Sequence, residues 1–97
     1  MKYTSLGQRL KDLRTGKGLT QVALFRRSRI SVSTIINAEK GHRAPQAGTL
    51  QALCRGLGIS PAVLLHNVEL TEKQQRRYRC LVQMFYFEQG RVRAPAW

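Results

Sequence analysis

Acidic residues are scarce in this chain of 97 residues: 5 Asp and Glu stand against 17 Lys and Arg, which gives a formal net charge of +12. A small folded domain with such an excess is expected to bind a polyanion. Solubility alone is a weaker explanation, because acidic residues promote solubility better than basic ones. The charge therefore favours a nucleic acid or an anionic membrane surface as partner.

Aromatic residues and long apolar runs are also in short supply. Only 7% of the residues are aromatic, which predicts a core of Leu, Ile and Val. It also argues against a reader of single-stranded RNA, since such readers stack bases on aromatic rings. No apolar run approaches the roughly 18–20 residues of a membrane-spanning helix, and the N-terminal segment lacks the apolar middle of a secretory signal. The C-terminal segment could also form a basic amphipathic helix on a membrane surface, but we predict no membrane partner.

Motifs for catalysis and metal binding are missing as well. The two cysteines, Cys54 and Cys80, and the two histidines, His42 and His66, have no zinc-type spacing. The sequence contains no recognisable His–carboxylate pair, Cys–His pair or phosphate-cradling glycine loop. We therefore predict that the chain is not an enzyme and needs neither a metal nor another cofactor. The two thiols are expected to be buried or partly buried.

Helix signals, in contrast, are dense along the chain. Ser5 and Thr71 each open a capping-box pattern. The predicted helices lie between Ser5 and Gly16 and at about 21–27, 32–39, 47–57, 62–66 and 72–89. In the first helix, leucines at helical spacing form an apolar stripe, and Arg14 is expected to lie off it. The pattern predicts an all-α fold.

Two of these helices, 21–27 and 32–39, are joined by residues 28–30 and the capping residue Ser31. This is the helix-turn-helix arrangement. One helix before the pair and two short helices after it, in a basic chain, strengthen this interpretation.

The residues in and after this pair resemble the helix-turn-helix domain of phage lambda-repressor and Cro-type regulators, the xenobiotic-response-element family. The residues that match within the pair are Leu19, Thr20, Gln21, Leu24, Ile30, Ser31, Ser33, Thr34, Ile35, Glu39 and Gly41. Further matches are Pro45, Thr49, Leu50, Leu57, Gly58, Ile59, Ser60, Leu64 and Leu65. The resemblance covers about residues 5–66. It implies a five-helix lambda-repressor-like DNA-binding domain over 1–67. The resemblance does not reach the residues beyond this domain, where the helix pattern predicts an additional C-terminal helix over 68–90, for dimerisation or partner contact, and a tail over 91–97.

Four positions depart from the family's usual residues. Phe25 stands where the family has a small residue and Ala38 where it has a large apolar one, so we expect the Phe25 ring to fill the space left by Ala38. Ser28 replaces an apolar residue beside the turn. Arg29 stands where the family favours glycine, which leaves three interpretations: a strained positive φ, retention for a phosphate contact, or a different turn.

The resemblance implies that the helix at 32–39 enters the major groove of double-stranded DNA and that Val32, Ser33 and Asn37 face the bases. Asn37 can pair with N6 and N7 of adenine. Ser33 discriminates weakly between bases, and Val32 can only touch a thymine methyl group.

The run from Ile30 to Ala38 carries no charge, so base contacts would come from hydroxyl, amide and methyl groups. Ile35 is expected in the core, while Ile36 is either a further base contact or part of the core. Glu39 has no base contact in this interpretation and is expected to make a structural hydrogen bond or an ion pair with an arginine.

Phosphate contacts are expected on both flanks of the same helix. The assigned residues are Gln21, Ser31 and Thr34, which carry polar donors near helix starts, and Arg29, Lys40 and Arg43, which bracket the helix. Gln21 matches a family position that meets the DNA backbone. The first 43 residues hold ten Lys and Arg and two acids, so much of the charge excess surrounds the motif.

One short helix reads only a few base pairs, and regulators of this type usually bind as dimers. We expect a homodimer through the C-terminal helix, in which Tyr78, Leu81, Val82 and Phe85 contact the second copy or, in place of it, a protein partner. Alternatively, this helix folds back and completes its own domain. The favoured function is a dimeric transcriptional repressor in the cytoplasm, associated with the nucleoid. The second hypothesis is an antitoxin-like interaction protein that binds DNA and holds a protein partner through its C-terminal segment.

Overall fold

The computed structural model describes the backbone of residues 5–66 and 68–88 and the side chains of residues 5–66 and 68–81. Within these residues the fold is all-α, as predicted. The helices are α1 Leu6–Gly16, α2 Gln21–Ser28, α3 Val32–Lys40, α4 Ala47–Leu57, α5 Pro61–Leu65 and α6 Glu72–Glu88. The helix boundaries agree with the predicted ones to within about two residues.

Side-chain caps begin five of these helices. The capping residues of α1, α2, α3 and α5 each accept a hydrogen bond from the backbone N–H three residues later: Ser5, Thr20, Ser31 and Ser60. At α6 the capping box forms in both directions, because Thr71 Oγ1 accepts from the N–H of Gln74 and Gln74 Oε1 accepts from the N–H of Thr71. These bonds satisfy N–H groups that have no partner within the helix.

Residues with positive φ end α2, α3 and α4. Gly41 and Gly58 adopt φ angles of +76° and +71°, which glycine tolerates. Arg29 adopts φ +65° after α2, and it is the single non-glycine residue with positive φ in the described part of the chain. The turn therefore has the geometry that favours glycine, and Arg29 holds it with backbone strain.

A single core of mostly aliphatic side chains receives residues from all six helices. Its buried members are Leu6, Leu10, Leu24, Ile35, Ala38, Leu50, Leu53, Cys54, Leu57, Leu64, Leu65, Val68, Tyr78 and Leu81. Full burial of a Leu or Ile side chain stabilises a fold by about 1.5–3 kcal/mol. The two helices of the helix-turn-helix pair are thus held against the rest of the domain by shared core packing.

Ser28 lies at the contact between α2 and α4. Its Oγ accepts a hydrogen bond from the N–H of Ile30 at 3.1 Å, so a hydroxyl stabilises the turn where the family has an apolar residue. Gly56 faces it: a Cβ at Gly56 would lie 2.9 Å from Ser28 Cβ and 3.1 Å from Leu24 Cδ1. The absence of a side chain at residue 56 allows α2 and α4 to approach closely.

The expected compensation between Phe25 and Ala38 is wrong. Ala38 is buried, but Phe25 is 38% exposed and lies outside the core. The neighbour of Ala38 is instead the backbone of α1, since a Cβ at Gly7 would lie 2.5 Å from the carbonyl oxygens of both Ala38 and Glu39. The backbones of α1 and α3 approach closely at this point, and a large residue at 38 would hinder that approach. This close packing takes the place of the expected contact with the Phe25 ring.

The first half of α6 packs back on the domain. Tyr78 is 0% and Leu81 is 6% exposed, and both belong to the core. These two residues therefore follow the alternative in which α6 folds back on its own domain. The expectation that they contact a second chain is wrong for both. Val82 and Phe85, the other predicted dimer contacts, and the predicted tail at 91–97 lie outside the residues whose side chains are described.

Candidate nucleic-acid interface

One side of α3 packs on the domain and the opposite side is open. Ile35 is 0% and Ala38 6% exposed, and these two mark the packed side. At about 100° per residue, Ser33 and Asn37 project from the opposite side; Ser33 is exposed and Asn37 is half-buried. Val32 is half-buried and lies at the edge of this open face. The three predicted base-contact residues therefore share one region of α3.

The open face of α3 offers amide, hydroxyl and hydrocarbon groups. The Asn37 side chain makes no hydrogen bond with the described residues, so both its donor and its acceptor are available. An adenine edge requires both groups from one amide. Ile36, which could belong to either side, is half-buried.

The two hydroxyls at the start of α3 are linked to each other. Ser31 Oγ accepts from the N–H of Thr34 at 3.2 Å and donates to Thr34 Oγ1 at 2.8 Å. Ser31 therefore uses its proton inside the cap. The hydroxyl proton of Thr34 remains available for an external acceptor, which makes Thr34 the better phosphate donor of the two.

Exposed cations lie at both ends of the uncharged run. Arg29, Lys40 and Arg43 are all exposed. Arg29 precedes the cap of α3 by two residues, Lys40 is the last residue of the helix, and Arg43 follows its terminal Gly41 by two residues. The uncharged part of α3, residues 32–38, spans about 10 Å, so a neutral strip of this length is flanked by positive charge.

The acidic residue of α3 does not weaken this charge pattern, because it is buried and paired. Arg14 Nε lies 2.6 Å from Glu39 Oε2 and Arg14 Nη2 lies 3.1 Å from Glu39 Oε1. Arg14 Nη1 donates to the carbonyl of Leu19 at 2.7 Å. The side chains of Arg14 and Glu39 are 9% and 4% exposed. The expected ion pair of Glu39 with an arginine is confirmed.

Arg14 itself was placed wrongly by the sequence pattern, which put it off the apolar stripe of α1. The residue is buried, at 7% exposure. It follows Leu10 by four residues, a spacing that places both side chains on one face of the helix. That spacing could have indicated that Arg14 is buried. An arginine is expected at the surface, however, unless its buried partner is known.

Gln21, a predicted phosphate contact at the first turn of α2, joins the same ion pair. Its Nε2 donates to Glu39 Oε1 at 3.2 Å. Glu39 thus connects Arg14 of α1 with Gln21 of α2, and it is itself part of α3. One N–H of the Gln21 amide is used in this contact, and the other N–H remains for a further acceptor.

Two side chains of α6 donate hydrogen bonds to the backbone of the segment that follows Arg43. Arg77 Nη1 donates to the carbonyl of Ala44 at 2.9 Å, and the buried Tyr78 hydroxyl donates to the carbonyl of Pro45. Two consecutive residues of α6 thus bind two consecutive carbonyls next to Arg43. The sequence pattern did not indicate this contact, because the partners are 33 residues apart.

The described residues contain no group of three or more His, Cys, Asp or Glu side chains that could hold a metal ion. None of the helices in this part of the chain is long and apolar enough to cross a membrane. Cys54 is buried, as expected, and burial raises the pKa of its thiol to about 12. Cys80 is exposed, which contradicts the expectation for that residue.

Known proteins share this arrangement. A helix-turn-helix family profile matches residues 10–64, more than half of the chain. An immunity repressor protein of Bacillus phage phi105 is 31% identical over 74 residues, which cover 76% of this chain and 51% of the repressor. This chain therefore spans about half the length of that relative.

Two solved structures of restriction-modification controller proteins are similar in fold and sequence. C.AhdI from Aeromonas hydrophila is 37% identical with a TM-score of 0.59, over 61% of this chain and 89% of that protein. C.Esp1396I is 27% identical with a TM-score of 0.58, over 62% of this chain and 78% of that protein.

Proposed function

The chain belongs to the helix-turn-helix family of DNA-binding regulators, and on this basis we propose that it binds specific sites in double-stranded DNA and represses transcription, with α3 in the major groove. Repression is supported by the phage relative, whose name is immunity repressor protein.

The open face of α3 is the observation that carries the proposal. It is free of charge and exposes amide, hydroxyl and hydrocarbon groups, while exposed cations flank it at both ends. Phosphate contacts give affinity without sequence information, and base edges give specificity. Along this one short helix, the neutral open face is therefore suited to base contacts, and the basic flanks are suited to phosphate contacts.

Within this proposal, Asn37 makes the most selective base contact, through the N6 and N7 groups of adenine. Ser33 and Val32 add a weak polar contact and an apolar contact. Phosphates are bound by the flanking side chains, namely Gln21, Arg29, Ser31, Thr34, Lys40 and Arg43. The Arg14–Glu39–Gln21 contacts support this assignment, because they hold the Gln21 amide beside the end of α3.

We also propose that the protein acts on DNA as a homodimer, because one α3 reads too few base pairs for a specific site. Tyr78 and Leu81 are no longer candidates for its interface, since both are buried in the chain's own core. The same burial removes two of the four side chains assigned to a protein partner in the antitoxin-like hypothesis. That hypothesis is therefore not favoured by a specific observation.

An in vitro selection of bound duplexes tests the proposal. A palindrome with half-sites about one helical turn apart is expected if two copies bind. On the selected site, Asn37→Ala should weaken binding by roughly 1–3 kcal/mol and relax the preference at one base position. Failure to select any common sequence would overturn the proposed specificity.

Arg43→Ala is the matched variant for a phosphate contact. It should weaken binding to all duplexes by about the same factor and reduce the dependence of the dissociation constant on salt. If Arg43→Ala changed the base preference while Asn37→Ala left it intact, the roles assigned to the two residues would be reversed.

A further inference from the structure

A basic depression lies between the first turns of α6 and the segment that follows α3. Its volume is about 470 Å³, and it is lined by Arg43, Ala44, Gln46, Thr71, Lys73, Gln74 and Arg77. The lining thus contains three cations and no acid, while the acid Glu69 lines the adjoining cavity, which shares Arg43 with the depression. A concave surface with one sign of charge attracts ions of the opposite sign, so the depression favours an anionic group.

The acid nearest in sequence does not neutralise the depression. Glu72 is outside its lining and forms a salt bridge with Arg76 at 2.9 Å on the exposed surface of α6. Lys73, one residue later, belongs to the lining and is exposed. Two exposed cations of α6 that are three positions apart therefore differ in their surroundings: Arg76 has an acidic partner within the helix, whereas Lys73 lines a basic surface.

Two hydrogen bonds hold the walls of the depression together. Arg77 donates to the carbonyl of Ala44 at 2.9 Å, and Tyr78 donates to the carbonyl of Pro45. Because Tyr78 is fully buried, α6 and the segment behind Arg43 form one rigid contact. The Arg77 guanidinium and the backbone that carries Arg43 are therefore positioned in advance, which lowers the entropy cost of binding an anion.

The depression is continuous with the proposed DNA-binding surface, since Arg43 belongs to both. We propose that α6 adds a phosphate-binding surface, formed by Arg43, Lys73 and Arg77, that holds the DNA backbone beside the segment read by α3. The inference rests on the proposed function, because the phosphates belong to the same duplex. It extends the interface beyond residues 10–64, which the family profile covers.

The test compares Lys73→Gln with Arg76→Gln on the selected duplex. Both variants remove one positive charge from an exposed position of α6, so thermal melting should show that both are folded. The dissociation constant is measured at several salt concentrations. Lys73→Gln is expected to reduce the slope of log K against log[salt] by about 0.9, the value for one phosphate contact. Arg76→Gln should leave the slope unchanged.

A second arm shortens the duplex one base pair at a time outside the selected site. Wild-type affinity should fall when the phosphate held by α6 is removed, and the difference between wild type and Lys73→Gln should vanish at that length. Equal slope changes in both variants would overturn the inference in favour of a general charge effect, as would an unchanged slope in Lys73→Gln.

The failure of the inference is distinguishable from the failure of the proposed function. If Asn37→Ala still relaxes the base preference while Lys73→Gln binds like wild type, only the α6 surface is wrong. If the wild-type chain shows no preference among duplexes, the proposed function fails first and the α6 surface fails with it.

Discussion

Arg14 and Glu39 form a buried, two-pronged ion pair between α1 and the end of α3, with N–O distances of 2.6 and 3.1 Å. The two residues are 25 positions apart. The pair therefore links the first helix of the domain to the helix proposed to read DNA. Gln21 donates to the same carboxylate, so three helices meet at one buried acid.

Removal of Arg14 should be more damaging than removal of both partners. Arg14→Met leaves the Glu39 carboxylate buried without its cation and is expected to cost about 3–5 kcal/mol of unfolding free energy. The double variant Arg14→Met with Glu39→Met leaves no buried charge and should be less destabilised than Arg14→Met alone. Urea unfolding measured by circular dichroism gives both values. A double variant whose loss equals the sum of the two single losses would show that the residues are not coupled.

Gly7 is expected to tolerate no side chain. In Gly7→Ala the new Cβ would lie 2.5 Å from the carbonyl oxygens of Ala38 and Glu39, and both atoms belong to the backbone of α3. The helices must then separate, at a cost of roughly 1–3 kcal/mol. Gly48→Ala in α4 is the control, since a Cβ there meets nothing within 4 Å, and it should gain about 0.5–1 kcal/mol. Thermal unfolding of both variants checks the contrast, and equal effects would contradict it.

Arg29 is predicted to lose backbone strain and DNA affinity together when it is replaced by glycine. Its φ of +65° costs an L-residue roughly 1 kcal/mol relative to glycine. Arg29→Gly should therefore raise the unfolding free energy by about that amount, whereas Arg29→Ala, which keeps the Cβ, should not. Both variants remove the charge and should weaken DNA binding equally. If DNA binding were unchanged in both, Arg29 would not contact a phosphate.

The two thiols should differ sharply in reactivity. Thiolate is the reactive form of cysteine, and burial raises the pKa of Cys54 to about 12, so Cys54 stays protonated and shielded at pH 8. Cys80 is exposed and should react at once with a thiol reagent. One thiol per folded chain and two per unfolded chain are therefore expected in an Ellman titration. The variant Cys80→Ser should remove the rapid reaction, and a rapid reaction that persisted would contradict the burial of Cys54.

The positions of the helices follow from local signals. Ser and Thr caps, glycines after the helices and apolar residues at helical spacing act within one or two turns of the chain. The caps predicted at Ser5, Ser31 and Thr71 form in the structure. The positive φ of Arg29 is also among the conformations that the sequence predicts, because the resembling family favours glycine at this position.

The outward face of α3 was predictable for the same reason. Ile35 and Ala38 on one side and Ser33 and Asn37 on the other are separated by the helical period alone. Burial of the first two residues then defines which side faces outward.

The contacts between helices could not be obtained in this way. Arg14 pairs with Glu39, Gly7 lies against Ala38, and Phe25 stays partly exposed because α1, rather than the aromatic ring, packs beside Ala38. Composition and spacing state which residues can be buried, but not which partner each one meets, because partners far apart in the chain are chosen by packing of the whole domain.

In the C-terminal helix the difference between local interactions and contacts with distant residues is clearest. Its start, its capping box and its apolar stripe were determined by residues within the segment itself, since those interactions are local. Whether Tyr78 would face a second chain or its own domain depended on the shape of the surface available to it. The tertiary structure decided this by burying Tyr78 against the carbonyl of Pro45, where its hydroxyl finds an acceptor. The same contact brought Lys73 and Arg77 beside Arg43, a grouping of charges that the linear order of the residues does not contain.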